Sequence, residues 1–178
     1  MLKLETARLR LRSFTDADLD AFASLTANDL FMRFSGAGAI GREQTAAVLE
    51  RILVRTRTGQ PSQFAVFHCE TEKLIGYCGF FLQTVDGVDE LEIGYRLHPD
   101  FWGQGLATEA ARAVRDHGFR DLKLERVISL IHPDNQPSLR VAEKNRMKLE
   151  KQTTFKTFPT LVFAITRPTW EALPRAAA

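Results

Sequence analysis

Two glycines in this sequence stand where a phosphate group could bind. Gly103 and Gly105 follow an apolar, strand-like segment at residues 91–97 and lead into a helix-like run that starts near Leu106. The first N–H groups of a helix have no acceptor within the helix, and the helix dipole favours negative charge at that end. Glycine also lets a ligand approach the backbone closely. This order of strand, glycine loop and helix predicts a site for a pyrophosphate-bearing ligand.

Neither of two common phosphate-binding motifs explains this loop. A P-loop needs Gly-Lys followed by Ser or Thr, which is absent here. A dinucleotide-binding fingerprint needs a third Gly or Ala where Thr108 stands, and it should follow the first strand of a βαβ unit. A tight turn that binds no ligand is the remaining structural alternative.

Two glutamates lie just before the glycine loop and suggest proton transfer. Glu90 and Glu92 alternate with Leu91 and Ile93, so both carboxylates lie on one face of the predicted strand. An amine nucleophile must lose a proton before it reacts, and a carboxylate or a water chain can take that proton. We favour Glu92 as the base or water-positioning group, with Glu90 next. Two surface glutamates on an exposed strand are the alternative.

The histidines and cysteines give no sign of a metal or a disulfide. Four histidines are scattered without metal-ligand spacing, so we expect no metal, and the one nearest the proposed site is His132. Cys69 and Cys78 are the only cysteines, and both are interpreted as small core residues.

Composition limits the class of protein. The chain has 178 residues, which suits a single domain over residues 1–178. A formal net charge of +2 is too small to indicate nucleic acid or an anionic membrane as a partner. No apolar stretch has the length of a bilayer span or a signal peptide, so the cytoplasm is the expected location.

The elements that must position these residues alternate between strands and helices. Hydrophobic periodicity predicts strands at residues 8–12, 64–69, 74–82, 90–97, 126–131, 149–155 and 161–166. It predicts a first helix that ends near residue 27, a helical turn at 29–34, and helices at 42–57, 106–119 and 138–144. Short connections predict an antiparallel meander, and the helix at 106–119 permits a parallel crossover between strands 90–97 and 126–131.

Separate motifs in this order resemble the GNAT superfamily of acyl-CoA-dependent N-acyltransferases. Residues 5–12 (ETARLRLR) resemble the start of the branch that includes the ribosomal-protein N-terminal acetyltransferases. Residues 93–99 (IGYRLHP) with 101–110 (FWGQGLATEA) resemble its acyl-CoA segment. Residues 132–135 (HPDN), with Ser138 and the following VAEK, resemble the next strand-to-helix turn. The resemblance covers nearly the whole chain.

The resemblance implies a fold and a set of binding residues. The fold class is α/β (α+β): a mixed, mostly antiparallel central sheet flanked by helices, with a parallel strand pair splayed at the acyl-CoA site. Acetyl-CoA is the implied cosubstrate, and no metal is needed. Its diphosphate would be bound by backbone N–H groups of Gly103, Gln104, Gly105, Ala107 and Thr108. Leu97 would pair through its backbone with the pantetheine arm as if the arm were an added strand.

The remaining roles concern the leaving group and the oxyanion. The family parallel places Asn135 on the pantetheine arm and Ser138 near the sulfur, where Ser138 would donate a proton to the leaving group. Ser138 could equally be a simple helix N-cap. Tyr77 and Tyr95 are alternative acids. A backbone N–H near residues 93–95 would stabilise the oxyanion.

The sequence departs from the branch where its next helix ends. Arg146 stands where a glycine is usual. Because arginine tolerates a positive φ poorly, we expect Asn145 to take that conformation instead.

The resulting hypothesis is an acetyltransferase that acts on a primary amine in a ternary complex with acetyl-CoA. The amine is either a protein N-terminal α-amine or an amine on a small molecule. A non-catalytic acyl-CoA-binding or regulatory protein is the alternative, and it would have Glu92 and Ser138 far from the thioester. Phe155 and Phe158 mark a surface that would serve a homodimer.

Overall fold

A computed structural model describes residues 2–174, which form eight strands and six helices. The strands are β1 (Lys3–Glu5), β2 (Leu9–Ser13), β3 (Gln63–His68), β4 (Leu74–Val85), β5 (Val88–Leu97), β6 (Arg126–Ile131), β7 (Lys148–Phe155) and β8 (Phe158–Thr166). The helices are α1 (Leu19–Thr26), α2 (Asp29–Met32), α3 (Arg42–Arg57), α4 (Leu106–Arg120), α5 (Gln136–Lys144) and α6 (Arg167–Glu171). None of these helices has the length and apolar character that crossing a membrane requires.

All eight strands belong to one mixed sheet. Their order is β1-β2-β3-β4-β5-β6-β8-β7, and every neighbouring pair is antiparallel except β5 and β6. This arrangement confirms the predicted mixed fold with one parallel pair. The parallel pair has a single registered position, Glu92 opposite Ile128. The sheet is therefore open between β5 and β6 beyond this point.

Helices cover both faces of the sheet because the central strands present apolar side chains on both faces. Ile93 and Leu97 of β5 pack in one buried cluster with α4 residues such as Leu106 and Val114. Tyr77 of β4 belongs to a second cluster, in which its partners include Phe22 of α1 and Leu49 and Ile52 of α3. Burial of each large apolar side chain contributes about 1.5–3 kcal/mol. The two clusters hold α4 and α1–α3 on opposite faces of β4 and β5.

The central hairpin is longer than predicted because of its turn. Asp86 and Gly87 have φ values of 51° and 80°, which fits the two-residue turn that continues a twisted ladder without a bulge. Pairing therefore extends to Val85 opposite Val88. β5 consequently begins two residues earlier than the predicted strand at 90–97.

Three local predictions are wrong. Ser138 is not the N-cap of α5, because the helix begins at Gln136 and Asn135 caps it. Asn145 has an ordinary φ of −81°, and Arg146 itself adopts the positive φ of 63°. Cys78 is buried as predicted, whereas Cys69 is exposed beyond the end of β3.

Candidate active site

A cavity of about 800 Å³ occupies the gap between β5 and β6. It is lined from the α4 side by Leu106, Ala107 and Thr108 and from the α2 side by Phe31 and Phe34, so it reaches both faces of the sheet. A side-chain bond marks where the strands part. The buried Ser129 hydroxyl on β6 donates to the Ile93 carbonyl of β5 at 2.8 Å. The gap is therefore a defined feature of the fold.

The glycine loop forms one end of this cavity. Gly103 and Gly105 have φ values of 75° and 80°, which residues other than glycine rarely adopt. Gly105 is the N-cap of α4, and the first α-helical bond runs from the Glu109 N–H to the Gly105 carbonyl. The N–H groups of Leu106, Ala107 and Thr108 precede that bond and have no acceptor within the helix. The loop therefore offers backbone donors and the positive end of a fifteen-residue helix to an anion.

Two contacts hold the loop in this shape. The indole Nε1 of Trp102 donates to the Leu97 carbonyl at 2.7 Å, which ties the loop back to the end of β5. This bond uses one of the two lone pairs on the Leu97 carbonyl. On the outer side, Arg8 Nη1 donates to the Gln104 carbonyl at 2.9 Å.

A carboxylate on α4 completes this support. Glu109 accepts from the Arg8 side chain and backbone N–H, at 2.8 and 2.9 Å, and from the Thr6 hydroxyl at 2.7 Å. These bonds lower the pKa of Glu109 against the opposing effect of desolvation. The β1–β2 segment thus fastens the first turn of α4 to the sheet. Residues 8–12 were predicted only as a strand, so this role of Arg8 was missed.

Glu92 lies inside the gap. It is half-buried and lines the cavity. Gln83 Nε2 on β4 donates to Glu92 Oε2 at 2.8 Å. Desolvation is the largest influence and raises the pKa of Glu92, while hydrogen bonds from Gln83 and from the Leu130 backbone partly oppose it. A carboxyl group whose pKa is raised towards neutrality is suited to accept a proton.

Glu90 has a different environment, although it precedes Glu92 by only two residues. Its carboxylate accepts from Arg126 Nε at 3.1 Å, and the same guanidinium donates to both oxygens of Glu150 on β7 at 2.8 Å. These bonds raise the pKa of Arg126 and lower that of Glu150. Glu90 is not among the residues that line the cavity. The structure therefore places one of the two predicted glutamates in the gap and the other in an ion-pair network.

The start of α5 forms the wall of the cavity opposite β5. Asn135 Oδ1 accepts from the Ser138 backbone N–H at 3.3 Å, and both residues line the cavity. The Tyr95 hydroxyl donates to the Ser138 carbonyl, also at 3.3 Å. Burial raises the pKa of Tyr95. Asn135, Ser138 and Tyr95 thus lie close together in the cavity.

The mouth on the α2 side is formed by three separate segments. The Phe34 ring lies 6.2 Å from the His132 ring, measured between centroids, so the segment after α2 reaches across the gap to the end of β6. A Cβ placed on Gly36 would lie 3.2 Å from the Phe158 ring, so the start of β8 touches the same segment. Arg96 donates to the Tyr77 hydroxyl at 2.6 Å and to the Phe34 carbonyl at 3.0 Å. This role of Arg96 was not predicted, because it depends on residues that are distant in the chain.

Known proteins resemble this chain in sequence and in fold. A family model described as an acetyltransferase (GNAT) domain matches residues 8–148. The uncharacterized N-acetyltransferase YnaD of Bacillus subtilis is 29% identical over 149 residues, which are 84% of each chain. The crystal structure of an acetyltransferase from Agrobacterium tumefaciens is 28% identical, with a TM-score of 0.79 over 93% of this chain and 94% of that one.

One further structure shares the fold at lower identity. It is described as RimL, a ribosomal L7/L12 alpha-N-protein acetyltransferase in complex with coenzyme A. Its TM-score is 0.78 at 19% identity, and the match covers 93% of this chain and 98% of that one.

Proposed function

We propose that this chain, which belongs to the GNAT family of acetyltransferases, transfers the acetyl group of acetyl-CoA directly to a primary amine within a ternary complex. The family and its relatives make it an N-acetyltransferase. The observation that carries the finer proposal is that the Glu92 carboxylate and the amide-rich start of α4 line one and the same cavity. Donor and acceptor would meet there in reactive geometry, which supplies much of the rate.

The residues at the start of α4 fit the diphosphate of coenzyme A. The left-handed glycines keep the loop free of side chains, and a Cβ on Gly103 would meet no atom within 4 Å, which indicates open space beside the backbone. N–H groups of Gly103, Gln104, Gly105, Ala107 and Thr108 would donate to the phosphate oxygens. Acetyl-CoA would supply an activated thioester whose acyl carbon the amine attacks.

The edges of the gap fit an extended arm. Beyond Glu92 and Ile128, β5 and β6 do not pair with each other, so backbone groups near Leu97 are available to an amide-containing chain. Asn135 would add a side-chain contact from the start of α5. A backbone N–H near residues 93–95 would donate to the oxyanion formed during attack.

Glu92 would take the proton from the amine, directly or through water. Its desolvated position keeps its pKa above the ordinary value of 4.5, which narrows the gap to the pKa of the amine. Ser138 or Tyr95 would donate a proton or hydrogen bond to the departing sulfur. Glu90 is a weaker choice for the base, because Arg126 already holds its carboxylate.

The acceptor is a protein N-terminal α-amine or an amine on a small molecule. We treat residues 1–178 as one acetyltransferase domain that acts in the cytoplasm, where Cys69 and Cys78 would stay free thiols. A homodimer through the surface around Phe158, which is 44% exposed, is compatible with this proposal.

Thiol release from acetyl-CoA, measured with a panel of peptides and small amines, tests the proposal. Calorimetric titration with CoA should be run alongside it. We expect tight CoA binding and amine-dependent thiol release that falls strongly in Glu92→Gln. Tight CoA binding with no turnover of any amine would contradict the catalytic proposal and favour a binding protein.

A further inference from the structure

We infer that the acceptor is an amine that also carries a carboxylate or another oxyanion, which Arg96 binds with help from Arg33 and Lys156. This inference rests on the proposed function, because it assigns the acceptor class of the same site. In this arrangement Glu92 receives the amine end of the acceptor. The anionic end is bound by a cluster of three cations, Arg33, Arg96 and Lys156.

The acceptor half of the cavity can be separated from the donor half by the geometry of the strands. Arg96 lies opposite Tyr77 on β4, and Glu92 lies opposite Phe81. Directly opposed residues on neighbouring strands share a face of the sheet. Tyr77 and Phe81 pack with α1–α3, whereas α4 covers the other face. Glu92 and Arg96 therefore belong to the face away from the glycine loop.

Arg96 is a partly buried cation whose hydrogen-bond partners are all neutral. Its guanidinium donates to the Tyr77 hydroxyl and the Phe34 carbonyl. Among residues 2–174, no carboxylate oxygen is recorded within 4.0 Å of Arg96, Arg33 or Lys156, although many other arginines are paired. A partly desolvated charge with no counter-ion in direct contact is costly. An acceptor oxyanion would remove that cost and could form a charge-assisted, bidentate contact.

The other two cations come from different segments of the same mouth. Arg33 follows α2 and lies 5.3 Å from the Phe34 ring centroid, and Lys156 lies in the β7–β8 turn, 4.9 Å from the Phe155 ring centroid. Both residues line the cavity. Arg96 and Lys156 are also close enough to Glu92 to lower its pKa against desolvation. Three segments distant in sequence thus bring positive charge to one mouth.

The remaining charged and titratable groups of the cavity do not cancel this charge. Among the residues that the structure describes, Asp134 is the only lining carboxylate besides Glu92, and its side chain is 86% exposed beside His132. Arg140 and Lys144 on α5 add positive charge near the opposite wall. A polyamine would therefore be repelled, because like charges placed together oppose binding.

The spacing along β5 sets the size of the acceptor. Residues 92 and 96 are four apart, which separates their Cα atoms by about 13 Å on an extended strand. Long side chains shorten the distance between the charged ends. An amine and an oxyanion on one small molecule, or at the first two residues of a peptide, would fit between them.

Matched acceptors test this inference without changing the amine. The dipeptide amide of Ser-Glu should be compared with the dipeptide amide of Ser-Gln, and free serine should be compared with serine amide. Each rate should be divided by the concentration of unprotonated amine, because the amines of a pair differ in pKa. We expect kcat/KM to be about tenfold or more higher for the anionic member of each pair, as the loss of one charge-assisted hydrogen bond implies. A preference only among peptides would identify an acidic N-terminus, and a preference only among free amino acids would identify a small acceptor.

Variants locate the effect. Arg96→Gln should raise KM for the anionic acceptors about tenfold, with little change for the neutral ones and an unchanged Kd for CoA. Arg96→Gln also removes the hydrogen bonds from Arg96 to Tyr77 and Phe34. The double variant Arg33→Gln with Lys156→Gln therefore repeats the test while those two hydrogen bonds stay intact. Arg51→Gln is the matched control, since Arg51 is exposed on α3 and does not line the cavity.

The outcomes separate the inference from the function on which it rests. Equal or better turnover of neutral and cationic amines would overturn the inference and leave the acetyltransferase intact. The same KM change in Arg51→Gln would also overturn it, because the effect would then reflect overall charge. Absence of turnover with every amine, alongside CoA binding, would remove the proposed function and the inference together.

Discussion

Replacing Gly105 with alanine should separate backbone strain from ligand binding. Gly105 has φ = 80°, and an added Cβ would come no closer than 3.7 Å to Arg8 Nη2. The protein therefore has room for the methyl group, and the cost comes from the left-handed backbone. That cost is about 1–2 kcal/mol for a residue other than glycine. In a chain of this length it should lower Tm by about 2–8 °C.

The hairpin glycine provides a matched control. Gly87 also has φ = 80°, and a Cβ there would meet no atom within 4 Å. Gly87→Ala should therefore lower Tm by a similar amount. Gly87 lies in the β4–β5 turn, outside the cavity, so its replacement should leave CoA affinity unchanged.

Affinity for CoA should distinguish the two variants. In Gly105→Ala the strain at the N-cap of α4 would also displace the N–H groups that are proposed to bind the diphosphate. Loss of one or two hydrogen bonds to a charged group weakens binding by about tenfold to several hundredfold. Calorimetric titration with CoA, together with thermal unfolding of both variants, measures the two effects separately. Equal Kd values for Gly105→Ala and Gly87→Ala would refute the assignment of this loop to the diphosphate.

Three further predictions concern the site and its supports. Glu92→Gln should lower kcat and abolish the acidic limb of the pH–rate profile. Because burial raises its pKa, the stability that Glu92 contributes is complete below the ordinary value of 4.5 and is lost as pH rises through the raised pKa. The Gln variant should therefore gain Tm over the wild type at pH 8 and little at pH 4, and the reverse order would contradict the burial argument. Ser138→Ala should slow turnover while changing the free energy of unfolding by less than about 0.5 kcal/mol, whereas Asn135→Ala, which removes the cap of α5, should cost about 1 kcal/mol in denaturant titrations. A loss of stability without a loss of rate in Ser138→Ala would leave this residue only a structural role. Arg146→Gly should raise Tm by about 2–4 °C, because glycine removes the strain of a φ of 63°, and an unchanged Tm would show that the strain is already relieved.

Local patterns predicted the elements whose signals are local. The helix at 42–57 and the strand at 126–131 agree with the structure at both ends, since each has its own periodicity and its own stop signals. β1 was not predicted, because three residues carry no periodic signal and Lys3–Glu5 is a strand only through pairing with β2. The order of strand, glycine loop and helix was predictable for a similar reason, because its signals all lie within residues 91–106.

The roles of individual side chains were harder to predict, because they depend on contacts with residues that are distant in the sequence. Alternation assigns Glu90 and Glu92 to one face and cannot distinguish them. Their difference comes from neighbouring strands, where Arg126 on β6 binds Glu90 and Gln83 on β4 donates to Glu92. Arg146 shows the opposite case, in which a helix end imposes a conformation against the preference of the residue.

Because β5 and β6 share a single register position, hydrogen exchange in the gap between them should show whether a ligand is bound there. Ten registered pairs join β4 to β5, whereas β5 and β6 share one registered pair, Glu92 with Ile128. Main-chain amides that point into the gap should therefore exchange with deuterated solvent faster than those of the β4–β5 ladder. A molecule that lies along the gap would slow this exchange at residues 94–97 and 129–131. Deuterium uptake would thus reveal which compounds complete the sheet, even compounds that are never acetylated.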